Sequence, residues 1–275
     1  MDRLQAVEEL EIDLLLEGVF QLFGYDFRGY QRDPLRQKLQ RLMQSDGLNT
    51  VSALLEKVMH DEAAGDALLR ALSVHPAGLF EDPEHFLSLR GALGPWLRSC
   101  PSPKIWIAEC ASVQEAAALA IMLTEEQLYD KTRIFATVAN ESLLTDAAKG
   151  SFAPDQLSLF EDNYRRSGGT KSLAEYCVED GGTMYFRREL LSRITWAQYN
   201  LATDASFNEF ELIVCRRALG DFGPALRRRA LQLFRESLPL FGMLSVDHTS
   251  EPDDAPFVAH FKTVNAENGL YRRIA

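Results

Sequence analysis

The feature that most constrains this chain is a change of hydrophobic period near residue 104. Before it, apolar residues recur at helical spacing. Leu10, Leu14, Leu15, Val19, Leu22 and Phe23 mark a helix over about 10–23, which Gly24 ends. Similar patterns run over 34–43 and 49–59, the second with Thr50 or Ser52 available as its cap, and a fourth helix is expected at 66–72. After the change, Ile105-Trp106-Ile107-Ala108 predicts a strand, 115–128 a helix, 133–136 a strand and 141–149 a helix. Strands alternating with helices require a parallel sheet with crossovers. Further strands are expected at 183–187, 194–199, 210–215 and 243–246, a helix at 224–237, and a closing hairpin from 257–264 and 269–274. Prolines and glycines crowd 76–103 around one helix at 83–89. The prediction is an all-helical domain over 1–80, a linker over 81–103, and an α/β domain over 104–275.

Composition narrows the function. A net charge of −11 argues against a general nucleic-acid binder, whose surface has to attract phosphates. No apolar run approaches the roughly 20 residues of a membrane span, and the first residues lead into an acidic amphipathic stretch, so a cytoplasmic protein without membrane insertion is expected. Cys100, Cys110, Cys177 and Cys215 are far apart and form no CxxC or Cys/His cluster, which predicts neither a disulfide framework nor a metal site.

A parallel sheet binds ligands at the carboxyl ends of its strands, where a glycine-rich first loop lets backbone approach the ligand. Here that loop reads Glu109-Cys110-Ala111-Ser112-Val113-Gln114-Glu115, without a glycine. Each side chain narrows the approach, and the Glu109 carboxylate repels a carboxylate-bearing ligand. On this reading the fold offers a cofactor site that the sequence has closed.

The segments Ile12 to Glu17 and Phe23-Gly24-Tyr25-Asp26-Phe27-Arg28-Gly29-Tyr30 resemble the amino-terminal helical domain of the CheR family of chemotaxis-receptor methyltransferases. The segments Asn163 to Thr170, Asn200 to Phe210 and Cys215-Arg216 are similar to its catalytic domain, and the likeness runs to Leu270-Tyr271-Arg272-Arg273. The resemblance implies a Rossmann-like S-adenosylmethionine methyltransferase domain with a small β-subdomain at about 163–200. It also implies methyl transfer to glutamate side chains of coiled-coil chemoreceptors. The helix carrying Arg36, Lys38 and Arg41 is implied as the partner-binding face, although spacing alone reads it as a solvated surface.

The departures from the family pattern fall at the positions its chemistry uses. Where the family has Asn-x-Thr-x-Phe-Phe-Arg, this chain has His75 to Glu81, so Glu81 replaces the arginine near the methyl donor. The family loop Gly-Cys-Ser-Thr-Gly-Glu-Glu becomes Glu109 to Glu115, keeping Cys110, Ser112 and Glu115 and placing Val113 where its second glycine stands. Val138 replaces the aspartate expected to hold the ribose, with Asn140 nearby. In the Cys-Arg-Asn-x-x-x-Tyr-Phe motif, Cys215 and Arg216 remain while Arg217 and Asp221 replace asparagine and tyrosine; Asn200 and Leu201 complete the degenerate site. The expectation is a chain that binds no cofactor and acts without catalysis as an adaptor or regulator in chemotaxis-like signalling, its partner a chemoreceptor coiled coil or another signalling protein. The alternative is an active S-adenosylmethionine-dependent protein-glutamate methyltransferase with a rebuilt site, and a further rival has Glu109, Glu115, Asn140 and Arg217 recruited for another nucleotide-like ligand. Weaker constellations are His75, His85 and His248, read as unrelated histidines, and Arg227-Arg228-Arg229, read as a solvated helix face or else a docking patch. Ser167-Gly168-Gly169-Thr170 reads as a tight turn.

Overall fold

The computed structural model describes residues 3–247 and 255–275. Four helices open the chain: α1 (Arg3–Phe23), α2 (Arg32–Ser45), α3 (Val51–His60) and α4 (Glu62–Leu72). Their apolar faces meet in one core that includes Ile12, Leu15, Leu16, Leu39, Leu54 and Leu68. Local caps set the starts: Thr50 Oγ1 accepts the Ala53 N–H at 3.1 Å, and Asp61 accepts that of Ala63 at 3.0 Å. The next helix, α5 (Pro83–Ser99), continues past the expected end at 89, through Gly91, Gly94 and Pro95. A proline inside a helix removes one hydrogen bond and crowds the preceding turn. Burial of Phe86, Leu89, Leu93 and Leu97 along one face outweighs that loss.

The α/β part follows as β1 (Lys104–Ala108), α6 (Val113–Glu125), β2 (Arg133–Val138), α7 (Glu141–Ala147), β3 (Ser151–Phe152), α8 (Leu157–Arg166), β4 (Cys177–Asp180), β5 (Thr183–Phe186), α9 (Arg188–Leu191), β6 (Ile194–Gln198), β7 (Leu212–Cys215), α10 (Pro224–Glu236), β8 (Met243–Val246), α11 (Ala255–His260), β9 (Phe261–Asn265) and β10 (Leu270–Arg273). The large sheet has the order β6-β2-β1-β7-β8-β10-β9. Its first five strands are parallel, and β10 runs antiparallel to both neighbours. Chain order reverses between β1 and β7, which puts the ligand crevice at their carboxyl ends. Ile105 and Ile107 of β1 face the core under α5 and α6, whereas Trp106 faces the core under α10. Trp106 satisfies its one donor by bonding Thr137 Oγ1 at 2.8 Å.

Two details differ from the sequence reading. The small sheet is β3-β5-β4, spanning 151–186. β6, expected inside the subdomain, pairs with β2 from Ile134↔Ile194 to Val138↔Gln198 and so edges the large sheet. Residues 257–260, expected as strand, are helical. Phe257 and Phe261, four apart, stack with ring centroids 4.3 Å apart, a pairing that one helical turn brings together and alternation does not.

The helical part is bonded to the loop after β7. Gln31 N–H donates to the Asp221 carbonyl at 2.7 Å, Gly223 N–H donates to the Gly29 carbonyl at 2.8 Å, and Tyr30 packs edge-on against Phe222. A Cβ at Gly223 would lie 2.7 Å from the Gly29 oxygen, so the close approach requires glycine there. Lys38 of α2 closes the joint: its Nζ donates to Asp221 Oδ2 at 2.6 Å and to the carbonyls of Leu72 and Ser73 at 3.1 Å each. The Lys38 side chain is only 10% exposed. Removing one partner of a mostly buried pair leaves the other uncompensated. Lys38→Ala is therefore expected to lower the unfolding free energy in urea by about 3 kcal/mol, whereas Arg41→Ala, at an exposed position, is expected to change it by less than about 0.5 kcal/mol.

Candidate functional site

Five non-glycine residues among those described have φ in the left-handed region, and three of them, Phe80, Glu109 and Arg217, surround the carboxyl ends of β1 and β7. Each such conformation costs of order 1–3 kcal/mol and persists only where the surroundings dictate it. Glu109, at φ +58°, stands where a parallel α/β fold uses glycine. The Cys110 N–H behind it donates to the Thr137 carbonyl at 2.7 Å, which extends the β1–β2 ladder through the turn. Ser112 then caps α6: its Oγ accepts the Glu115 N–H at 3.3 Å and donates to the Ala77 carbonyl at 2.8 Å. The helix start thus faces the crevice while being tied to the segment before α5.

On one side of β1 lies a narrow cleft with about 40 Å³ of free volume, lined among others by Gly78, Glu81, Asp82, His85, Ile107, Glu115, Val214, Arg216 and Arg217. Its polar groups form one network. Arg216 donates to Asp82 at 2.8 Å and to the Asn268 carbonyl at 3.1 Å, and lies 3.9 Å from Asp247. Arg217 lies 3.3 Å from Glu81 and 3.4 Å from Glu115, and its N–H donates to Asp247. Glu81 also accepts the Gly78 N–H at 2.6 Å. His85 Nδ1 is 3.1 Å from Arg216 Nη1. A guanidinium only donates, so Nδ1 accepts and the ring is neutral. Burial, together with the charge of Arg216, holds the His85 pKa well below its usual range.

On the other side is a smaller hollow with about 20 Å³ of free volume, where Glu109, Ala139, Asn200 and Leu201 meet Tyr25, Phe27 and Tyr30 of the helical part, with Phe222 beside them. Asn200 is fixed by accepting the Ala202 N–H at 2.8 Å. Glu109 is 7% exposed. Burial raises its pKa to about 7, opposed by the Ala139 N–H and by Lys38. Burial likewise raises Glu115 to about 7, opposed by Arg217 and then Arg216.

The structure therefore brings Glu81, Glu115, Arg216 and Arg217 together in the cleft, and Glu109, Asn200 and Leu201 around the hollow. Val113, Val138, Cys110 and Cys215 are buried and line neither space, and buried Asn140 caps α7, accepting the Leu143 N–H at 3.4 Å. Asp221 lies in neither space; it is the interdomain partner of Lys38. Nor do Arg36, Lys38 and Arg41 form one free cationic face. Lys38 points inward, Arg36 pairs with Glu8, Glu9 and Asp33, and Arg41 alone of the three is exposed. The histidines do not converge either: His75 is exposed, His85 lies in the cleft, and His248 falls outside the described residues. Sequence reading missed Asp82 and the aromatic wall. Asp82 before Pro83 was a readable helix start, since its carboxylate accepts the His85 N–H; Tyr25, Phe27 and Tyr30 become a wall only when the two domains meet.

S-adenosylmethionine presents a sulfonium cation, an amino-acid end and a nucleoside. The acids and guanidiniums of the cleft match the charged end, with Arg217 Nε buried and lacking a partner among the described residues. The hollow's aromatic rings and the amide of Asn200 match a nucleoside. In donor chemistry the residues fit the group.

The raised carboxyl pKa sets a direction for stability. A folded-state value of about 7 above the ordinary 4.5 means the native state holds the proton more tightly than the unfolded chain. The resulting stability is complete below about 4.5 and is lost as pH rises through 7. Glu109→Gln, which keeps the shape without the titration, is expected to flatten part of the fall in denaturation midpoint between pH 5 and pH 8; Glu115 retains its own part.

Comparison with known proteins identifies the relatives of this arrangement. Residues 77–267 match the CheR methyltransferase SAM binding domain, and residues 10–73 match the CheR methyltransferase all-alpha domain. A Pseudomonas putida protein named "Putative methyltransferase Cher3" is 35% identical over 96% of this chain and 97% of its own length. A Listeria innocua chemotaxis protein methyltransferase is 24% identical over 81% of this chain and 83% of its own. The N-methyltransferase NodS from Bradyrhizobium japonicum, solved with S-adenosyl-L-homocysteine, superposes with a TM-score of 0.41 at 14% identity, covering 76% of this chain and 97% of that one. The expectation of a chain without cofactor is corrected here: the matched domain is an S-adenosylmethionine-binding one, and the loss of loop glycines does not remove the chain from it. With both of its domains matched in order, this chain belongs to the CheR methyltransferase family.

Proposed function

We propose that this chain binds S-adenosylmethionine, or its demethylated product, in the paired spaces around Glu109, and that it serves chemosensory signalling as a cofactor-responsive regulator of partner proteins. In this reading it is not a methyltransferase for receptor glutamates. The hollow would take the nucleoside against Tyr30 and Asn200, and the cleft would take the amino-acid end, its ammonium beside Glu115 and its carboxylate at the unpartnered Nε–H of Arg217, which leaves no guanidinium donor for a second carboxylate. The bound cofactor would supply an electrophilic methyl group.

The observation that carries the reading is the network Glu81–Arg217–Glu115. A carboxylate acceptor needs no base to take a methyl group; what it needs from the protein is a cation to hold it in place. Here four carboxylates, Glu81, Asp82, Glu115 and Asp247, surround two guanidiniums, and both guanidiniums are engaged by them. An incoming glutamate would meet Glu81 where the resemblance places arginine. Two like charges about 4 Å apart repel by about 4 kcal/mol at the effective dielectric of a partly exposed site, which is nearly a thousandfold in rate. Protein partners are supported by the relatives named as chemotaxis methyltransferases.

Two measurements separate the parts of the proposal. Calorimetric titration with S-adenosylmethionine and S-adenosylhomocysteine is expected to show binding, weakened at least tenfold by Asn200→Ala with Tyr30→Ala. Incubation with methyl-labelled cofactor and a chemoreceptor cytoplasmic fragment is expected to leave no base-labile methyl ester. Ester formation would sink the regulatory reading, whereas an absence of binding to either nucleoside would sink the cofactor reading.

A further inference from the structure

Outside the crevice, the run Arg227-Arg228-Arg229 divides once its partners are traced. Arg227 donates to the carbonyls of Leu219 and Phe222, and Arg229 donates to that of Asp204, so they brace the loops that follow β7 and β6. Arg228 has no such partner among the described residues. It is exposed and lines a groove of about 270 Å³ between α10 and α11, together with Arg235 and His260.

The Arg235 guanidinium is likewise unpaired among the described residues, and His260 Nδ1 is buried without a hydrogen-bond partner. The nearby acid on α10, Glu236, accepts from Gln232 at 2.9 Å and leaves the arginines alone. Between the cations the floor is apolar, made of Leu231, Phe257 and Phe261. In a chain of net charge −11, two unpaired arginines and a histidine around an apolar floor are, among the described residues, a local reversal of sign.

We infer that this groove docks an acidic, amphipathic helical segment of a partner protein. Arg228 and Arg235 are seven residues apart on one face of α10, a rise of about 10.5 Å. Carboxylates at positions i and i+7 of a partner helix have the same separation, and apolar side chains at i+3 and i+4 between them would fall on the floor. A single phosphate spans only one of the two arginines. Phe257 and Phe261 are stacked on each other and mostly buried, so neither offers an open ring face to a nucleotide base. Charge and spacing together favour the acidic helix.

The test uses the full chain and a 21-residue helical peptide carrying Glu at i and i+7 and Leu at i+3 and i+4 in each repeat. A peptide with Lys in place of every Glu is the control, and ATP and inorganic phosphate are separate arms. Binding of the acidic peptide is expected by calorimetry, with affinity falling as salt rises and no binding of the lysine peptide. Arg228→Glu with Arg235→Glu is expected to weaken it at least tenfold while leaving the thermal midpoint and the response to S-adenosylmethionine unchanged. Equal affinity in the double variant, equal binding of the lysine peptide, or no binding of the acidic peptide would each overturn the assignment. Binding of ATP or phosphate without the peptide would overturn it in favour of an anion site.

Discussion

The Arg216 guanidinium is the interaction on which the geometry of the crevice depends. It extends from the end of β7 and joins elements that are otherwise independent: Asp82 and His85 at the start of α5, the Val246 carbonyl at the end of β8, and the Asn268 carbonyl in the β9–β10 turn. A planar donor with five N–H groups can satisfy this many acceptors at once, and lysine could not. Because its side chain is only 14% exposed, these bonds work in a lowered dielectric. Their consequence is a fixed rim: α5 cannot move away from the sheet without stranding a buried charge. Glu81, Asp82 and His85 therefore hold set positions over the ends of β1 and β7.

The same rim explains why so many titratable groups tolerate burial. Arg217 adopts φ +75° so that its side chain lies between Glu81 and Glu115, and its N–H meets Asp247 in the same turn. The strain is offset by pairing on three sides. Glu109 follows a different logic. No arginine reaches it; its charge is eased only by an amide N–H and by Lys38, itself committed to Asp221. A carboxyl group in that setting is only partly ionised near pH 7.

Much of the fold was legible because its signals are local. The period change near 104, the helix cap at Thr50, and the apolar strands 105–108 and 243–246 each carry their own evidence. The misplacements arise where tertiary contacts decide. Pro95 argued for a helix end, but Leu93 and Leu97 bury the face that keeps α5 going. Ile194 to Gln198 looks the same whether it pairs in a small sheet or beside β2, and only the register with Ile134 to Val138 decides. At the site, the substitutions at Glu81, Glu109, Arg217 and Asp221 were readable, but their combined effect was not. Arg217 answers Glu81 and Glu115, and Asp221 answers Lys38, across separations of 136, 102 and 183 residues. Counted singly they read as losses; paired in space they form a rebuilt network.

That distinction bears on how the helical part can influence the crevice. Lys38 and Gln31 hold the side chain and the carbonyl of Asp221, four residues from Arg217 on the same loop. Tyr30 meets both the Phe222 ring and the hollow beside Glu109. Displacing α2 from this joint would withdraw a neutralising charge from Glu109, open the aromatic wall, and free the loop that carries Arg217. A ligand that needs the wall intact must then favour the joined arrangement, and by linkage a protein that pulls α2 away must weaken that ligand by the same factor. Any such coupling would run through Gln31, Lys38 and the Tyr30–Phe222 ring pair, with no long pathway required.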